Sequence, residues 1–210
     1  PFVKIHSSTQ RTVHNLSGVI EVYKKGYSQV VLARELSFEE IKEITAKSPA
    51  DIEIFIHGAL CYSVSGQCYF SSVIGKRSGN RGLCAQPCRL PYKLTDNKGK
   101  NIGNNDYPLS LKDLCLAEHI NDIKKAGVKS LKIEGRMKSV YYAYTVTKIY
   151  RSLIDGKKFT EDDRILLADA FSRNGFTDGY FTNNKGSGMF GVKSTDNEIS
   201  KNFTFNEKPE

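Results

Sequence analysis

Residues 28–57, SQVVLARELSFEEIKEITAKSPADIEIFIH, decide the fold because they contain a strand, a helix and a strand with short connections. The aliphatic runs at 28–33 and 51–57 predict two buried strands. Ser37, with a Glu three positions later, is a capping-box pattern and predicts a helix over 37–47. Two strands joined through a helix in this way lie parallel, with the helix on one face of the sheet.

The same alternation continues on both sides of this unit and predicts an α/β fold. Further strands are predicted at 2–6 and 128–135, and further helices at 12–26, 110–127, 139–156 and 160–173. A complete barrel of eight parallel strands usually needs about 250 residues. The 210 residues of this chain therefore predict a partial (β/α) TIM-like barrel of parallel strands, with function at the carboxyl ends of the strands.

A Cys- and Gly-rich insert with a small hairpin, residues 58–103, interrupts this alternation. We assign residues 1–189 to the central and C-terminal part of the barrel domain, and 190–210 to a tail or the start of a linker to a missing C-terminal domain. Because the chain begins without Met and directly in strand-like sequence, we expect a fragment that lacks its flanking domains. The exposed edges of such a partial sheet favour a homodimer.

Composition narrows the possible partners. The net charge of +8 and the pI of about 9.2 permit an anionic partner such as RNA or an acidic metabolite, although scattered surface lysines explain the same charge. No apolar run has membrane-spanning length and no signal peptide opens the chain, so we predict a cytoplasmic protein without membrane contact. The sequence contains no GxSxG, HExxH or Walker motif.

The cysteines are the strongest chemical signal in the chain. Four of the five lie in the insert, in a stretch (54–95) that has no Asp or Glu, and the set is Cys61, Cys68, Cys84, Cys88 and Cys115. An iron–sulfur cluster explains several thiolates next to positive charge. A zinc site is less favoured because there is only one close pair, and a catalytic His57–Cys61 pair leaves the other cysteines unexplained. Cys115 also fits a buried thiol that only packs.

The stretch EIFIHGALCYSVSGQCYFSS, residues 53–72, resembles the signature of the collagenase-like peptidase (U32) family. The matching residues are Glu53, Phe55, Gly58, Ala59, Leu60, Cys61, Gly66, Cys68 and Ser71. Phe70 departs from the pattern, since the family has a small aliphatic residue there. The resemblance continues through 8–15, 33–37, 75–92, 110–115 and 132–139, and so covers nearly the whole chain up to residue 181.

This resemblance implies a barrel of parallel strands and helices, and it implies more than proteolysis. The family includes oxygen-independent hydroxylases of tRNA, ribosomal RNA or ubiquinone precursors, which carry a 4Fe–4S cluster and depend on prephenate or a related pathway for oxygen. Carried over by motif, Cys61, Cys68 and Cys84 are expected cluster ligands. The fourth is Cys115 or Cys88, because members differ. We favour Cys115, since the start of its predicted helix returns toward the same mouth of the barrel.

Other candidate site residues follow strand ends. Arg34, Glu35, Glu134 and Arg136 are expected either to hold a dicarboxylate such as prephenate or to form a ring of ion pairs. His57 is expected either to donate a proton near the cluster or simply to pack.

Four basic residues of the insert complete the set of candidates. They could contact RNA phosphates or offset the charge of a cluster, and they are Lys76, Arg77, Arg81 and Arg89.

We therefore predict an iron–sulfur hydroxylase of RNA bases, from tRNA or ribosomal RNA, or of a similar aromatic substrate. The first alternative is an endopeptidase of collagen-like chains. The second is a metal-stabilised RNA-binding module without catalysis. We expect the cluster to be absent from a fragment purified in air.

Overall fold

The computed structural model describes residues 3–103, 106–136 and 138–191, which form a mixed α/β fold around one open sheet. The strands are β1 (His6–Ser7), β2 (Gln29–Val31), β3 (Asp51–Gly58), β4 (Asp113–Cys115), β5 (Ser130–Ile133) and β6 (Phe176–Thr177). The α-helices are α1 (Leu16–Lys24), α2 (Phe38–Lys47), α3 (Phe70–Gly75), α4 (Ile120–Lys125), α5 (Val140–Ile154) and α6 (Glu161–Ala170). None of the helices in these ranges is both long and apolar enough to cross a bilayer.

The sheet is mainly parallel. Strands β1, β2, β3 and β5 run parallel, with Val30 opposite Ile52 and Ile54 opposite Leu131. Strand β4 pairs antiparallel with the end of β3, and β6 pairs parallel with β4. The predicted α/β fold is confirmed at this level, but the sheet does not close into a barrel within the described ranges.

Side-chain caps mark the start of α1, α2, α5 and α6. Ser37 Oγ accepts from the backbone N–H of Glu40, and the Glu40 carboxylate accepts from the backbone N–H of Ser37 at 2.7 Å. This confirms the predicted capping box of α2. Thr160 and Asp163 form the same reciprocal arrangement at the start of α6. Because caps satisfy the first free N–H groups of a helix, they fix where each helix begins.

The core lies between the sheet and helices α1, α2, α4 and α5. Residues 52–58 of β3 are all buried, as expected for a central strand covered on both faces. Helix α5 contributes the largest fully buried side chains, Tyr142 and Tyr150. The central strand is therefore fixed at its carboxyl end, where the functional residues begin.

The predicted helix over 110–127 is wrong in its first half, which forms β4 and a short 3-10 turn before α4 begins. Its backbone is used elsewhere: the N–H of Lys112 donates to Met189 O and that of Leu116 donates to Ile56 O, both at 2.9 Å. Strand pairing across the molecule thus overrides a helical spacing of apolar residues.

The insert contains little regular structure. Its predicted hairpin is reduced to one antiparallel bridge between Thr95 and Asn101. Its other regular elements are helix α3 and two 3-10 turns, Gly79–Arg81 and Pro87–Arg89. The predicted tail from residue 192 onward lies outside the described residues, while Phe190 still pairs antiparallel with Leu111.

Candidate functional site

A cavity of about 650 Å³ opens at the carboxyl ends of the parallel strands. Arg34 follows β2, Cys61 follows β3 and Glu134 follows β5, and all three line the cavity. Parallel strands bring their carboxyl ends to one edge of a sheet, which is why residues distant in sequence meet here. The insert supplies most of the remaining wall.

Four of the five cysteines line this cavity: Cys61, Cys68, Cys84 and Cys88. Burial raises the pKa of the Cys61 thiol, and the nearby Cys68 and Cys84 raise it further. Burial also raises the pKa of Cys88, which interacts with the other three thiols as well. The four sulfurs therefore form one electrostatically coupled group, in which each deprotonation makes the next one harder.

Cys115 lies apart from this group, in β4. Its sulfur is 3.6 Å from Tyr150 Oη. Burial raises the pKa of its thiol, and its charged neighbours are Arg164 and Glu118 rather than another cysteine. Since residues 113–115 pair with β3 instead of starting a helix, the favoured fourth ligand is not brought to the cavity, whereas the alternative, Cys88, is.

The first part of the insert is tied to the strand ends. Gly66 has φ +77°, and a Cβ on it would lie 2.3 Å from Gln10 O, so only glycine fits. The Ser65 backbone N–H and hydroxyl both donate to Glu35 Oε1 at 2.9 Å, and Thr12 Oγ1 donates to Ser65 O at 2.6 Å. Glu35, a predicted catalytic residue, therefore anchors the insert and does not line the cavity.

The second pair of cysteines is held by its own backbone. The N–H of Ala85 donates to Ser71 Oγ at 2.9 Å, and the N–H of Gln86 donates to the Cys84 sulfur at 3.3 Å. Such N–H groups stabilise a thiolate. The 3-10 turn Pro87–Arg89 then places Cys88 back toward the cavity.

Arg89, predicted to contact RNA phosphates or to offset the charge of a cluster, is hydrogen-bonded to the protein. Its guanidinium donates to Leu60 O, Leu111 O and Ser110 Oγ, and burial lowers its pKa. The other three predicted basic residues are exposed, as an anion-binding role requires, and they are Lys76, Arg77 and Arg81. Of these, Arg77 donates to Leu83 O at 3.0 Å.

Arg34 and Glu134 form a partly buried ion pair on the cavity wall. Arg34 Nη2 lies 3.1 Å from Glu134 Oε2, and the guanidinium carbon lies 3.9 Å from the centre of the Phe55 ring. Burial lowers the pKa of Arg34, while Glu134 opposes that change. Among the residues that the structure describes, the buried Nε of Arg34 has no hydrogen-bond partner. Arg136 also lines the cavity, and its guanidinium donates to Gly82 O.

His57 lies behind the cavity, among aromatic rings. Tyr150 Oη donates to Ile56 O at 2.9 Å and accepts from the Leu116 N–H at 3.2 Å. The 3.2 Å contact of His57 Nδ1 with Tyr150 Oη therefore uses Nδ1–H as the donor. Burial lowers the pKa of His57 to about 4, and this neutral imidazole is not part of the cavity wall.

No three His, Cys, Asp or Glu side chains within residues 3–103, 106–136 and 138–191 converge closely enough to hold a single metal ion. The four cysteines instead stand around a space.

Sequence reasoning missed three amides on the cavity wall. Gln10, Gln67 and Asn80 each donate through the amide nitrogen, to Gly79 O, Thr12 Oγ1 and Gly66 O respectively. Gln10 belongs to the first strand end of the barrel pattern, which was the available signal. Gln67 lies in a loop and Asn80 in the 3-10 turn Gly79–Arg81, where no periodic pattern marks them.

Comparison with known proteins identifies close similarities. The model of peptidase family U32 matches residues 1–190. The 23S rRNA 5-hydroxycytidine C2501 synthase of Escherichia coli is 42% identical over 155 residues, which cover 74% of this chain and 24% of that protein. The tRNA hydroxylation protein P1 of Bacillus subtilis is 44% identical over 161 residues, covering 74% of this chain and 38% of that protein.

A third relative has a proteolytic name. The collagenase of Porphyromonas gingivalis is 38% identical over 199 residues, covering 85% of this chain and 48% of that protein. The chain thus spans about a quarter to a half of the length of these relatives. No solved structure matches it.

Proposed function

This chain belongs to peptidase family U32, and we propose that it is part of an enzyme that hydroxylates a base of tRNA or ribosomal RNA without molecular oxygen. Two relatives that match about three quarters of the chain are named for an rRNA 5-hydroxycytidine and for tRNA hydroxylation. Their matched segments reach past the insert that carries the cysteines. The shared segment therefore supports the same reaction class.

The observation that carries the proposal is the gathering of four coupled cysteines around one cavity. A 4Fe–4S cluster takes four thiolates, one at each iron, so its ligands surround a body instead of a point. We propose the ligands Cys61, Cys68, Cys84 and Cys88, with Cys88 in the place that the sequence favoured for Cys115. When bound, the cluster supplies one-electron redox chemistry at the cavity.

The chain compensates the charge of such a site from the protein side. Four thiolates close together repel one another, and positive neighbours lower the free energy that their joint deprotonation requires. Arg34 lowers the pKa of Cys61, and Arg89 lowers the pKa of Cys88. We therefore attribute the positive charge next to the thiols to Arg34 and Arg89, and not to the exposed lysines of the insert.

The same wall offers groups for substrate. The unpartnered Nε of Arg34 and the neighbouring Arg136 suit a carboxylate of a co-substrate such as prephenate. The amides of Gln10, Gln67 and Asn80 use their nitrogens on the protein, which leaves amide oxygens to accept from the N–H groups of a nucleobase. A base reaches such a pocket by leaving its stack.

Three further proposals complete this function. The open sheet is part of a family barrel, the exposed Lys76 and Arg81 contact RNA phosphates, and the enzyme works in the cytoplasm, where its RNA substrate is found. Phosphate contacts of this type predict RNA binding that weakens steeply with salt.

The test is iron and acid-labile sulfide per chain after purification without oxygen. We expect about four irons, lost in Cys61→Ala and Cys88→Ala. Cys115→Ala is the matched control and is expected to keep its iron, because that thiol lies in β4. Equal loss in Cys88→Ala and Cys115→Ala would remove Cys88 as the proposed ligand, and an iron-free wild type would remove the cluster.

A second measurement tests the reaction. RNA from cells that lack the gene is expected to regain one added oxygen on a pyrimidine when the wild-type gene is restored, but not with Cys61→Ala. A protein that carries iron and restores no modified base would leave the cluster standing and overturn the substrate.

Endopeptidase activity is the second candidate, supported by the similarity to a protein named collagenase. It needs a nucleophile with a base in reach, yet His57 contacts Tyr150 and aromatic rings behind the cavity. Gelatin cleavage by metal-free protein that is lost in Cys61→Ser would support this candidate and count against hydroxylation.

A further inference from the structure

A second cluster of charge lies near the cysteine cavity, between β4, the start of α5 and the segment before β6. It consists of Lys138, Arg173 and Asp113, with the aromatic ring of Phe171 beneath the two cations. Arg89 lies close enough to oppose the charge of both Lys138 and Arg173. Three cations thus surround one buried carboxylate.

The one carboxylate in this cluster faces Arg173, and one of its oxygens, Oδ1, has no hydrogen-bond partner among the described residues. Asp113 is 1% exposed, and its Oδ2 accepts from the backbone N–H of Arg173 at 2.9 Å. Its Oδ1 lies 3.8 Å from Arg173 Nη1. Arg173 Nη2 donates to Gln86 Oε1 at 2.9 Å. Arg89 is likewise occupied by its three protein acceptors.

Lys138 is the cation left over. Within the described ranges its ammonium makes no hydrogen bond and no ion pair, although it is half-buried over the Phe171 and Tyr142 rings. Burial and Arg173 lower its pKa to about 8. The first turn of α5, two residues on, contains no acidic residue that could serve as a partner. Asp113 offsets only one of the three positive charges, and this excess favours either an added anion or the loss of the lysine proton.

We propose that Lys138 and Arg173 form a binding site for a small oxyanion, a carboxylate or phosphate group of a small molecule. The ammonium supplies donors that no acceptor of the described residues takes, and Arg173 adds positive charge nearby. The aromatic floor of Phe171 favours a ligand with an apolar body next to its anionic group. Half-burial of Lys138 favours a terminal anionic group over the bridging phosphates of an RNA backbone.

This proposal goes beyond the hydroxylase function and requires neither cluster nor RNA. The titration of Lys138 controls the affinity, because only the ammonium form attracts the anion. The charged groups that face it are Arg173, Arg89, Asp113 and Glu134. Binding is therefore expected to weaken as the pH rises through about 8, the pKa of the free lysine.

The experiment measures acylation of lysine amines at pH 7, quantified by peptide mass spectrometry, with malonate or inorganic phosphate at constant ionic strength. A bound anion raises the pKa of Lys138, and each unit of increase lowers the neutral amine about tenfold. We expect saturable protection of Lys138 of about tenfold by at least one probe. Lys148, which lies exposed over Tyr144 on α5, is the matched control and is expected to react unchanged.

Calorimetric titration of the same probes provides the second readout. Lys138→Met is expected to lose measurable binding, while Lys148→Met keeps the wild-type affinity. Four outcomes would each overturn the small-molecule site. Two concern acylation with the small probes: protection that is absent or non-saturable with both of them, and equal protection of the two lysines. The others are undiminished binding by Lys138→Met and protection by an RNA oligonucleotide alone.

Discussion

Replacing Gly66 by alanine is expected to release the cysteine-bearing insert from the strand ends. At φ +77° the left-handed conformation costs an alanine about 1–2 kcal/mol of conformational free energy. In addition, its Cβ would lie 2.3 Å from Gln10 O, a contact with backbone that cannot be relieved by a rotamer change. The loop must therefore move.

The movement has a calculable cost. It separates at least two hydrogen bonds, from Thr12 Oγ1 to Ser65 O at 2.6 Å and from Asn80 Nδ2 to Gly66 O at 3.1 Å. At about 1 kcal/mol each, these bring the loss of unfolding free energy to about 3–4 kcal/mol. Urea unfolding measures the change as a lower midpoint with an unchanged slope.

Gly75 provides the control within the same insert. A Cβ there meets no atom within 4 Å, and the residue ends helix α3. Gly75→Ala is therefore expected to be neutral or to stabilise by up to about 1 kcal/mol through helix propensity. The free energy of unfolding of Gly66→Ala could instead lie within about 0.5 kcal/mol of the wild-type value. In that case the close approach of the insert to Gln10 does not constrain the fold, and Gly66 is not an anchor.

Three further predictions concern the groups around the cavity. Because burial lowers the pKa of His57 to about 4, the unfolded chain binds a proton between pH 6.5 and 4 that the folded chain does not. The free energy of unfolding should therefore fall by about 2 kcal/mol from pH 7.5 to 5. His57→Gln should remove most of that loss in thermal or urea unfolding at the two pH values. Glu35→Gln keeps the size of the side chain but removes the negative charge that accepts two hydrogen bonds from Ser65. We expect the free energy of unfolding to fall by about 1–2 kcal/mol and Cys61 to be alkylated faster, with Glu39→Gln at an exposed position as the control. Unchanged alkylation would contradict the anchoring role. Tyr150→Phe removes the hydroxyl that joins Ile56 and Leu116 and should cost about 2–3 kcal/mol, whereas Tyr144→Phe, at an exposed position of the same helix, should cost less than about 0.5 kcal/mol.

The sequence predicted those parts of the fold in which local signals and tertiary pairing agree. The unit from β2 to β3 is an example: an aliphatic run, a capping box and a second aliphatic run all specify the same elements, and the structure contains each of them. The segment 110–127 shows the opposite case. Its apolar spacing suits a helix, but the N–H groups of Lys112 and Leu116 find partners in distant segments. No local pattern reports such partners.

The candidate site divides in the same way. Residue types and motif spacing located the thiols and the strand-end charges, and four of the predicted cysteines do meet at the cavity. What a single sequence could not provide is which charge faces which partner. Arg89 lies in the basic stretch like Lys76, yet it is consumed by three protein acceptors because the chain folds back over it. The sequence does not mark Lys138, because its lack of a hydrogen-bond or ion-pair partner among the described residues is visible only in three dimensions.

The contrast between the two cysteine environments bears most directly on function. Burial raises the pKa of Cys115, whose sulfur lies 3.6 Å from Tyr150 Oη and whose charged neighbours are Arg164 and Glu118. Cys61 also has a raised pKa, but part of the cause is other cysteines, and Arg34 stands ready to stabilise the charged form. A thiol that only packs gains nothing from neighbours of this kind. A group of thiols with raised pKa values beside a buried arginine fits the proposed cluster, because iron would displace the protons and the arginine would stabilise the thiolates that remain.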